Sequence, residues 1–243
     1  MRRRTFLKQL AIALCGAHSA AFAALPAADE DPELRQAFWS HYGRVIDRFS
    51  IDPLNPFALR HPAFPRGTRS FQLIDRGATK LFTTEGLSDS VSGDQRFADR
   101  NGYELELYLE TDEAPTSVDG SWAGNLLLEL ATLAVNHGHL LANLDKHRYL
   151  TVQLNMDGVP DDWSLAHPGG NVGIFLGMAQ TGMPARVPLT KTYFIPVNAK
   201  LMRPAELQYA LAGQDRARTD LAARYAGQAV AAHLSNTSRT SVI

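Results

Sequence analysis

The chain has 243 residues, of which 45% are hydrophobic and 20% are charged, so collagen-like, coiled-coil and wholly disordered classes are excluded. There are 24 Lys and Arg residues against 25 Asp and Glu, giving a formal net charge of -1. This balance excludes the strongly basic surface that is typical of a nucleic-acid-binding domain.

The first 23 residues have the pattern of an export signal. A basic start is followed by a modestly apolar run and then by small residues that suit a signal peptidase. The start resembles a twin-arginine motif, which predicts export to the periplasm or secretion by that route. The alternative is an amphipathic first helix of the domain. The residues that carry the pattern are Arg3, Arg4, Phe6, Leu7, Ala21 and Ala23.

Cleavage after Ala23 would change the charge and the chemistry of the mature chain. The first 23 residues hold four basic residues and no acid, so Lys and Arg fall from 24 to 20 against 25 acids, a net charge of -5. Cys15 is the only cysteine and is removed, which leaves no disulfide and makes the fold depend on its core. A lipid anchor at Cys15 is the alternative, and the bulky Leu14 before it disfavours this. No later apolar run approaches the roughly 20 residues of a membrane-spanning helix.

A linker over 24–31 and then a helix are predicted at the start of the mature chain. Asp31 is suited to cap this helix, and Pro32 is suited to its first position. Apolar residues over 34–49 follow helical spacing, which predicts one long amphipathic helix. The proline-rich segment 52–69 predicts a structured loop.

The next segment predicts part of a sheet. Short strands over 71–75 and 80–84 flank a turn, and the clearest strand covers 103–110, where apolar and polar residues alternate. This alternation predicts one buried face and one solvent-exposed face, with Glu104 and Glu106 on the exposed face.

The second half of the chain predicts further helices and strands. A leucine-rich helix is predicted over 122–136, and strands are predicted over 150–156 and 172–178. Another strand is predicted over 193–197, where Pro196 indicates an edge strand or the end of a strand.

The end of the chain predicts two helices and a tail. The first helix covers 204–212 with Gly213 as its C-terminal cap, the second covers 216–234, and 235–243 is predicted to be frayed. The order of elements predicts a single domain over 32–234 of mixed α/β (α+β) class. Its central, mostly antiparallel or mixed sheet would pack against helices.

The sequence lacks the usual catalytic patterns. Phosphate-binding glycine loops and the Gly-x-Ser-x-Gly elbow are missing, and thiol catalysis needs a cysteine that the mature chain does not have. Glu104 and Glu106 share a predicted strand face, which would suit the paired carboxylates of a glycosidase. A solvated strand face is the simpler interpretation of this pair.

Histidines and tryptophans are the candidate metal ligands and binding platforms of this sequence. His137, His139 and His147 form the only histidine cluster, but a metal site needs them to converge with each other or with an acid. Polar residues at a helix end are the alternative interpretation. We therefore predict no catalytic residue, no cofactor and no metal ligand. The three tryptophans are predicted to anchor the core: Trp39, Trp122 and Trp163.

Four local patterns occur in a characteristic order. They are a Gly-Leu-Ser segment at 84–89, a Glu-Leu-x-Leu strand at 102–107, a Trp-led helix at 122–131 and a closing strand with a Pro-x-Glu helix at 195–207. Their order and spacing over about 68–215 resemble the Suppressor of fused domain family. The residues that carry the resemblance are Gly86, Ser88, Glu104, Trp122, Pro204 and Glu206.

This resemblance implies a mixed α/β domain that binds protein and is not an enzyme. The animal member of the family sequesters a transcription factor by taking a peptide as an added strand, and bacterial members resemble immunity proteins that neutralise toxins. The family is usually cytoplasmic and has Thr before the closing proline, where this chain has Arg203.

The leading hypothesis is a periplasmic binding protein whose partner is a protein, such as a toxin, or an extended peptide. An acidic mature chain would suit a basic partner. Two alternatives stay open. One is an exported hydrolase or metal-dependent enzyme that uses the Glu104/Glu106 pair or the histidine cluster. The other is an envelope substrate-binding module with a pocket lined by the three tryptophans.

Overall fold

The computed structural model describes residues 30–51, 64–91, 93–156, 158–165, 170–228 and 230–243. Four helices occur in these ranges: α1 (Asp31–Ser40), α2 (Trp122–His137), α3 (Leu140–His147) and α4 (Pro204–Ala226). The nine strands are β1 (Arg44–Ile51), β2 (Arg69–Asp75), β3 (Lys80–Glu85), β4 (Leu105–Thr111), β5 (Leu150–Asn155), β6 (Asn171–Leu176), β7 (Val187–Pro188), β8 (Tyr193–Met202) and β9 (Leu234–Ser235).

Some sequence predictions lie outside these ranges. They include the whole export signal, most of the linker and most of the proline-rich segment 52–69. The signal residues concerned are Arg3, Arg4, Phe6, Leu7, Ala21 and Ala23. Export therefore stays a prediction. No helix in the described parts of the chain is long and apolar enough to cross a membrane.

The nine strands form one mixed sheet, which confirms the predicted mixed α/β class. The strand order is β1-β2-β3-β4-β8-β6-β5, with β7 beside β8 and β9 beside β4. β4 pairs in parallel with both β8 and β9, and the other neighbours are antiparallel. α2 and α3 pack on one face of the sheet, and α1 and α4 pack on the other.

The predicted leucine-rich helix over 122–136 is α2, and the features that define it are close together in the sequence. The hydroxyl of Ser121 accepts a hydrogen bond from the backbone N–H of Gly124 at 3.0 Å, which caps the N-terminus. Gly138 ends the helix in the left-handed conformation at φ 62°. Between them a leucine stripe is fully buried, and each such side chain stabilises the fold by about 1.5–3 kcal/mol.

The prediction of one long helix over 34–49 was wrong. α1 ends at Ser40, and the chain turns at Gly43 into β1, which pairs antiparallel with β2. Gly43 has φ +155°, and a Cβ there would lie 2.2 Å from the carbonyl oxygen of Asp75. The close approach of the two strands therefore requires a residue without a side chain. The apolar residues of β1 also fit a period of two, which the prediction overlooked.

The predicted solvent-exposed face of the 103–110 strand was also wrong. Every residue of β4 is buried, including Glu106 at 0% exposure and Glu110 at 3%. α1 covers this face through Trp39, which packs with Tyr108 of β4. Strand alternation marks two faces, but it does not reveal that a distant helix covers the polar one.

The proline of β8 does not mark an edge strand, contrary to the prediction. β8 has ten residues and lies between β4 and β6. β7 pairs with residues 193–194 and β6 with residues 199–202, so residues 195–198 have no strand partner on that side in the described chain. Pro196 lies in this interval, where its missing N–H breaks no ladder hydrogen bond.

The C-terminal segment is packed against the domain, contrary to the predicted frayed tail. α4 bends at Gln214, close to the predicted cap, and ends at Ala226, which is earlier than predicted. β9 follows, and Ser235 is fully buried. Farther on, Arg239 reaches back to Glu206 at the start of α4, with its Nη2 2.5 Å from the carboxylate. Contacts this distant in sequence cannot be inferred from local composition.

Candidate functional site

Glu106 organises the Gly-Leu-Ser segment around a buried carboxylate. Its Oε1 accepts hydrogen bonds from the backbone N–H groups of Gly86 (3.1 Å) and Ser88 (3.0 Å) and from the Ser88 hydroxyl (2.6 Å). Its Oε2 accepts one from the Thr84 hydroxyl at 2.6 Å, and Arg35 lies 3.4 Å from Oε1. Complete burial raises the pKa of Glu106, against the opposing charge of Arg35. This carboxylate fixes the loop that follows β3.

Asp31 ties α1 to two connections, the one between β3 and β4 and the turn before β8. The prediction that Asp31 caps α1 was wrong, because Glu30 has the N-cap position and Asp31 is the first helical residue, with its side chain fully buried. Its Oδ1 accepts from the N–H of Thr190 at 2.9 Å, and its Oδ2 accepts from the N–H of Ser90 and from the amide of Asn101. The side-chain carbonyl oxygen of Asn101 (Oδ1) in turn accepts a hydrogen bond from the N–H of Thr192 at 2.7 Å. The loop before β4 and the turn before β8 are therefore held in fixed relation.

The other motif residues have structural positions at helix starts. Trp122 is the first residue of α2, and its indole N–H donates to the Glu113 carboxylate at 2.8 Å. Pro204 is the first residue of α4, and the Glu206 carboxylate accepts from the N–H of Arg203 at 2.7 Å, which is one half of a capping box. The Arg203 side chain makes no cap hydrogen bond, so the half that a Thr hydroxyl would supply is missing. Hydrogen bonds from Arg239 lower the pKa of Glu206, although burial acts in the opposite direction.

The three histidines do not form a metal site. His137 ends α2, His139 lies just before α3, and His147 pairs with Asp215 at 2.9 Å. Within the described residues there is no group of three or more His, Cys, Asp or Glu side chains that could hold a metal ion.

The tryptophans do not form a common pocket either. Trp39 and Trp163 are fully buried in different apolar clusters, and Trp122 packs against the edge of one of them. They therefore serve as core anchors, and the cavities described next have other linings.

Two adjoining cavities lie beside the sheet. The larger has a volume of about 380 Å³ and the smaller about 280 Å³, and they share Asp145 and Ile195. We call the two together the α3 groove. Its lining residues are Arg100, 103–105, Ala134, 138–142, Leu144, Asp145, Arg148, Gly177, Ala179, 183–186, Tyr193 and 195–198. A further cavity lies at the bend of α4.

The larger cavity occupies the interval in which β8 has no strand partner. It is bounded by residues 195–198, by Gly177 just after β6 and by the loop 183–186 that leads to β7. The sheet therefore has a gap about four residues long, and the gap is open to solvent at one side.

Two residues of the groove have a strained backbone. Glu104 (φ 55°) lines the smaller cavity and Arg148 (φ 65°) the larger, and Gln214 is the only other non-glycine residue with positive φ in the described ranges. Each such residue costs on the order of 1–3 kcal/mol and persists only where its surroundings fix it. Glu104 is fixed by hydrogen bonds from its N–H to Asn101 (2.8 Å) and from the N–H of Ile195 to its carbonyl (2.9 Å).

Comparison with known proteins gives a similarity of fold. No protein-family model matches the chain, and no curated protein matches its sequence significantly. A crystal structure of the Sufu–Fu complex aligns with 90% of this chain and 93% of its own chain, at 14% identity and a TM-score of 0.50. The fold is similar to that of Suppressor of fused. A crystal structure of Drosophila Suppressor of Fused aligns with 74% of this chain and 43% of its own, at 16% identity and a TM-score of 0.47.

This similarity confirms the fold that the four sequence motifs implied. The α3 groove, in contrast, was not predicted from the sequence. Its polar residues come from separate segments, and Arg148 and Arg186 resemble ordinary surface arginines in the sequence. Asn198 did leave a signal, because it is a polar residue inside an apolar strand. It is 1% exposed, and neither atom of its amide group has a hydrogen-bond partner in the described residues.

Proposed function

We propose that this protein is a non-enzymatic binding domain that holds an extended segment of a partner protein in the α3 groove. The observation that carries the proposal is the gap in the sheet, where a cavity lies beside an unpaired stretch of β8. An interrupted sheet beside a concave surface suits a polypeptide segment better than a compact small molecule.

The framework of the groove supports this proposal. The strained Glu104 is held by its backbone hydrogen bonds with Asn101 and Ile195, and the N–H of Arg148 donates to the carbonyl of Leu144 at 2.6 Å. These bonds support a groove that is formed before any partner binds. Pre-formed surfaces lose less conformational entropy on association. The fold is also similar to one solved in the Sufu–Fu complex, a complex between proteins.

We also propose the location and the biological role that the sequence favours. The twin-arginine pattern at Arg3-Arg4 supports export to the periplasm or secretion, and the family resemblance supports an immunity protein that neutralises a toxin. Mass spectrometry of the protein from fractionated host cells tests export. A periplasmic form that begins at Ala24 is expected, and a cytoplasmic form that keeps residues 1–23 would refute it.

The binding proposal is tested by affinity capture with three baits that begin at Ala24. Ala185 is exposed and lines the larger cavity, so Ala185→Trp fills the groove without disturbing the core. Ala78 is exposed in the turn between β2 and β3, so Ala78→Trp is a matched control. The extract comes from the periplasm of the native host.

We expect one stoichiometric partner on the wild-type and Ala78→Trp baits and its loss from the Ala185→Trp bait. A partner that all three baits retain equally would place binding elsewhere on the protein. The host must express the genes that lie next to the gene for this protein. If no protein is then enriched on any bait, the role as a binding domain is refuted.

A further inference from the structure

The larger cavity of the α3 groove also shows what kind of segment fits it. We infer that this cavity is a recognition pocket for an apolar side chain followed by a carboxylate, so that the bound segment is apolar–acidic at this point. This inference rests on the proposed function and adds the chemistry of the partner segment.

The backbone of β8 offers few free hydrogen-bonding groups in the gap. Pro196 has no N–H, and the carbonyl of Asn198 already accepts a hydrogen bond from the N–H of Gly177 at 3.4 Å. The strand can therefore offer only a fragment of the donor and acceptor pattern that an added strand needs. A segment bound in the gap must be recognised mainly by side chains.

The walls of the cavity are largely apolar. Leu144, Met183, Pro196 and Val197 supply apolar surface on several sides, and the latter two are buried. An apolar wall of this kind favours an aliphatic side chain, whose full burial strengthens binding by about tenfold to a hundredfold.

Two positively charged side chains lie at the rim of the cavity. Arg148, at the end of α3, and Arg186, in the loop before β7, both line the cavity and are exposed. Each stacks on a neighbouring tyrosine ring, with the Arg186 guanidinium 4.4 Å from the ring centroid of Tyr193, and neither forms an ion pair in the described residues. Asp145 is the one acid of this lining. Two guanidinium groups without a carboxylate partner favour an acidic group on the ligand.

Asn198 also lines the cavity, and its side-chain amide nitrogen and oxygen are both buried without a hydrogen-bond partner in the described residues. A ligand reaches these atoms only after the side chain turns toward the cavity. In that conformation a peptide group, which has one donor and one acceptor, would match the carboxamide.

The test uses capped tetrapeptides as probes and the full chain from Ala24, labelled with ¹⁵N. The probes are acetyl-Gly-Leu-Asp-Gly-amide, its Leu-Asn analogue and its Ser-Asp analogue. Titrations are followed by the amide signals of Gly177, Met183 and Val197, because chemical shifts detect weak binding. The variant Arg148→Ala/Arg186→Ala removes the rim charges. Arg44→Ala removes an exposed arginine on β1 as a matched control.

We expect the Leu-Asp peptide to bind at these residues, about two- to thirtyfold more tightly than the Leu-Asn analogue and about ten- to a hundredfold more tightly than the Ser-Asp analogue. The double variant should abolish its advantage over the Leu-Asn peptide, Arg44→Ala should keep it, and high salt should reduce it. Equal binding of the Leu-Asp and Leu-Asn peptides in the groove would overturn the inference and leave the proposed function standing. Signals that move only outside the groove, or for no peptide, would overturn the inference, and the capture experiment then decides the proposed function separately.

Discussion

Lys200 provides a test of how closely the C-terminal segment seals the domain. It lies in β8, is 1% exposed, and donates a hydrogen bond from Nζ to the carbonyl oxygen of Leu234 in β9. Its ammonium group also lies 4.7 Å from the centre of the Tyr225 ring. Burial, together with the nearby charge of Arg239, lowers the pKa of Lys200 from 10.5 to about 7, and Glu206 opposes this only partly.

The lowered pKa gives a stability effect of defined sign. Below pH 7 both the folded and the unfolded chain bind the proton, and the full cost of burying the charge is present. Between about pH 7 and 10.5 the unfolded chain binds more protons than the folded one, so the free energy of unfolding rises with pH. At about 1.36 kcal/mol per pKa unit, the full effect is on the order of 5 kcal/mol, and about 2 kcal/mol of it is regained between pH 7 and 9.

Replacement of Lys200 by methionine should remove this titration. Lys200→Met keeps the length of the side chain, loses the hydrogen bond to Leu234 and the contact with the Tyr225 ring, and removes the buried charge. We expect a net stabilisation of about 1–3 kcal/mol at pH 7 that disappears by pH 9.

Urea denaturation of wild type and Lys200→Met at pH 6, 7, 8 and 9 measures this difference directly. Lys146→Met, which replaces an exposed lysine of α3, is the matched control and should follow the wild-type profile. Parallel profiles for wild type and Lys200→Met would refute the reasoning, because they would mean that Lys200 keeps an ordinary pKa and that its amine reaches water.

Three further substitutions are each followed by urea denaturation at pH 7. Glu106→Gln leaves Arg35 paired with Asp89 alone and removes one acceptor from the Thr84 and Ser88 hydrogen bonds, so it should cost about 1–3 kcal/mol; a loss below 1 kcal/mol would contradict the anchoring role of this carboxylate. Arg239→Met leaves Glu206 unpaired and should cost about 3 kcal/mol, whereas a frayed tail would give no change. Trp122→Ala should cost about 2–4 kcal/mol, less than for a fully enclosed ring because Trp122 is only half-buried; an unchanged midpoint would refute its packing against the core.

The elements that could be predicted from the sequence are those whose causes are local. α2 has its cap, its leucine stripe and its terminal glycine within eighteen residues, and the strands around 71–75 and 80–84 are joined by a short turn. The boundary between α1 and β1 was missed because its apolar residues fit both periodicities. What decides between them is the approach of Gly43 to Asp75, which lies thirty-two residues away.

The candidate site depends on contacts between residues distant in sequence to a greater degree than the individual helices and strands do. Glu106 was expected in solvent because only strand alternation was visible, and the helix that covers it lies some seventy residues earlier in the chain. The groove needs the register of three strands, since the gap exists only because β6 and β7 pair with different parts of β8. The unpaired Asn198 is the one residue of the groove that a polar position in an apolar strand could have indicated.

The charge of the whole chain and the charge of the pocket favour opposite kinds of partner surface, and the two can act together. Net charge influences approach over roughly a Debye length, about 8–10 Å at physiological salt, whereas Arg148 and Arg186 act only at contact. A mature chain of net charge -5 would attract a basic partner, and the arginine rim would then select an acidic segment within it. The two effects are separable by kinetics, because salt should lower the association rate through net charge, while loss of the rim arginines should raise the dissociation rate.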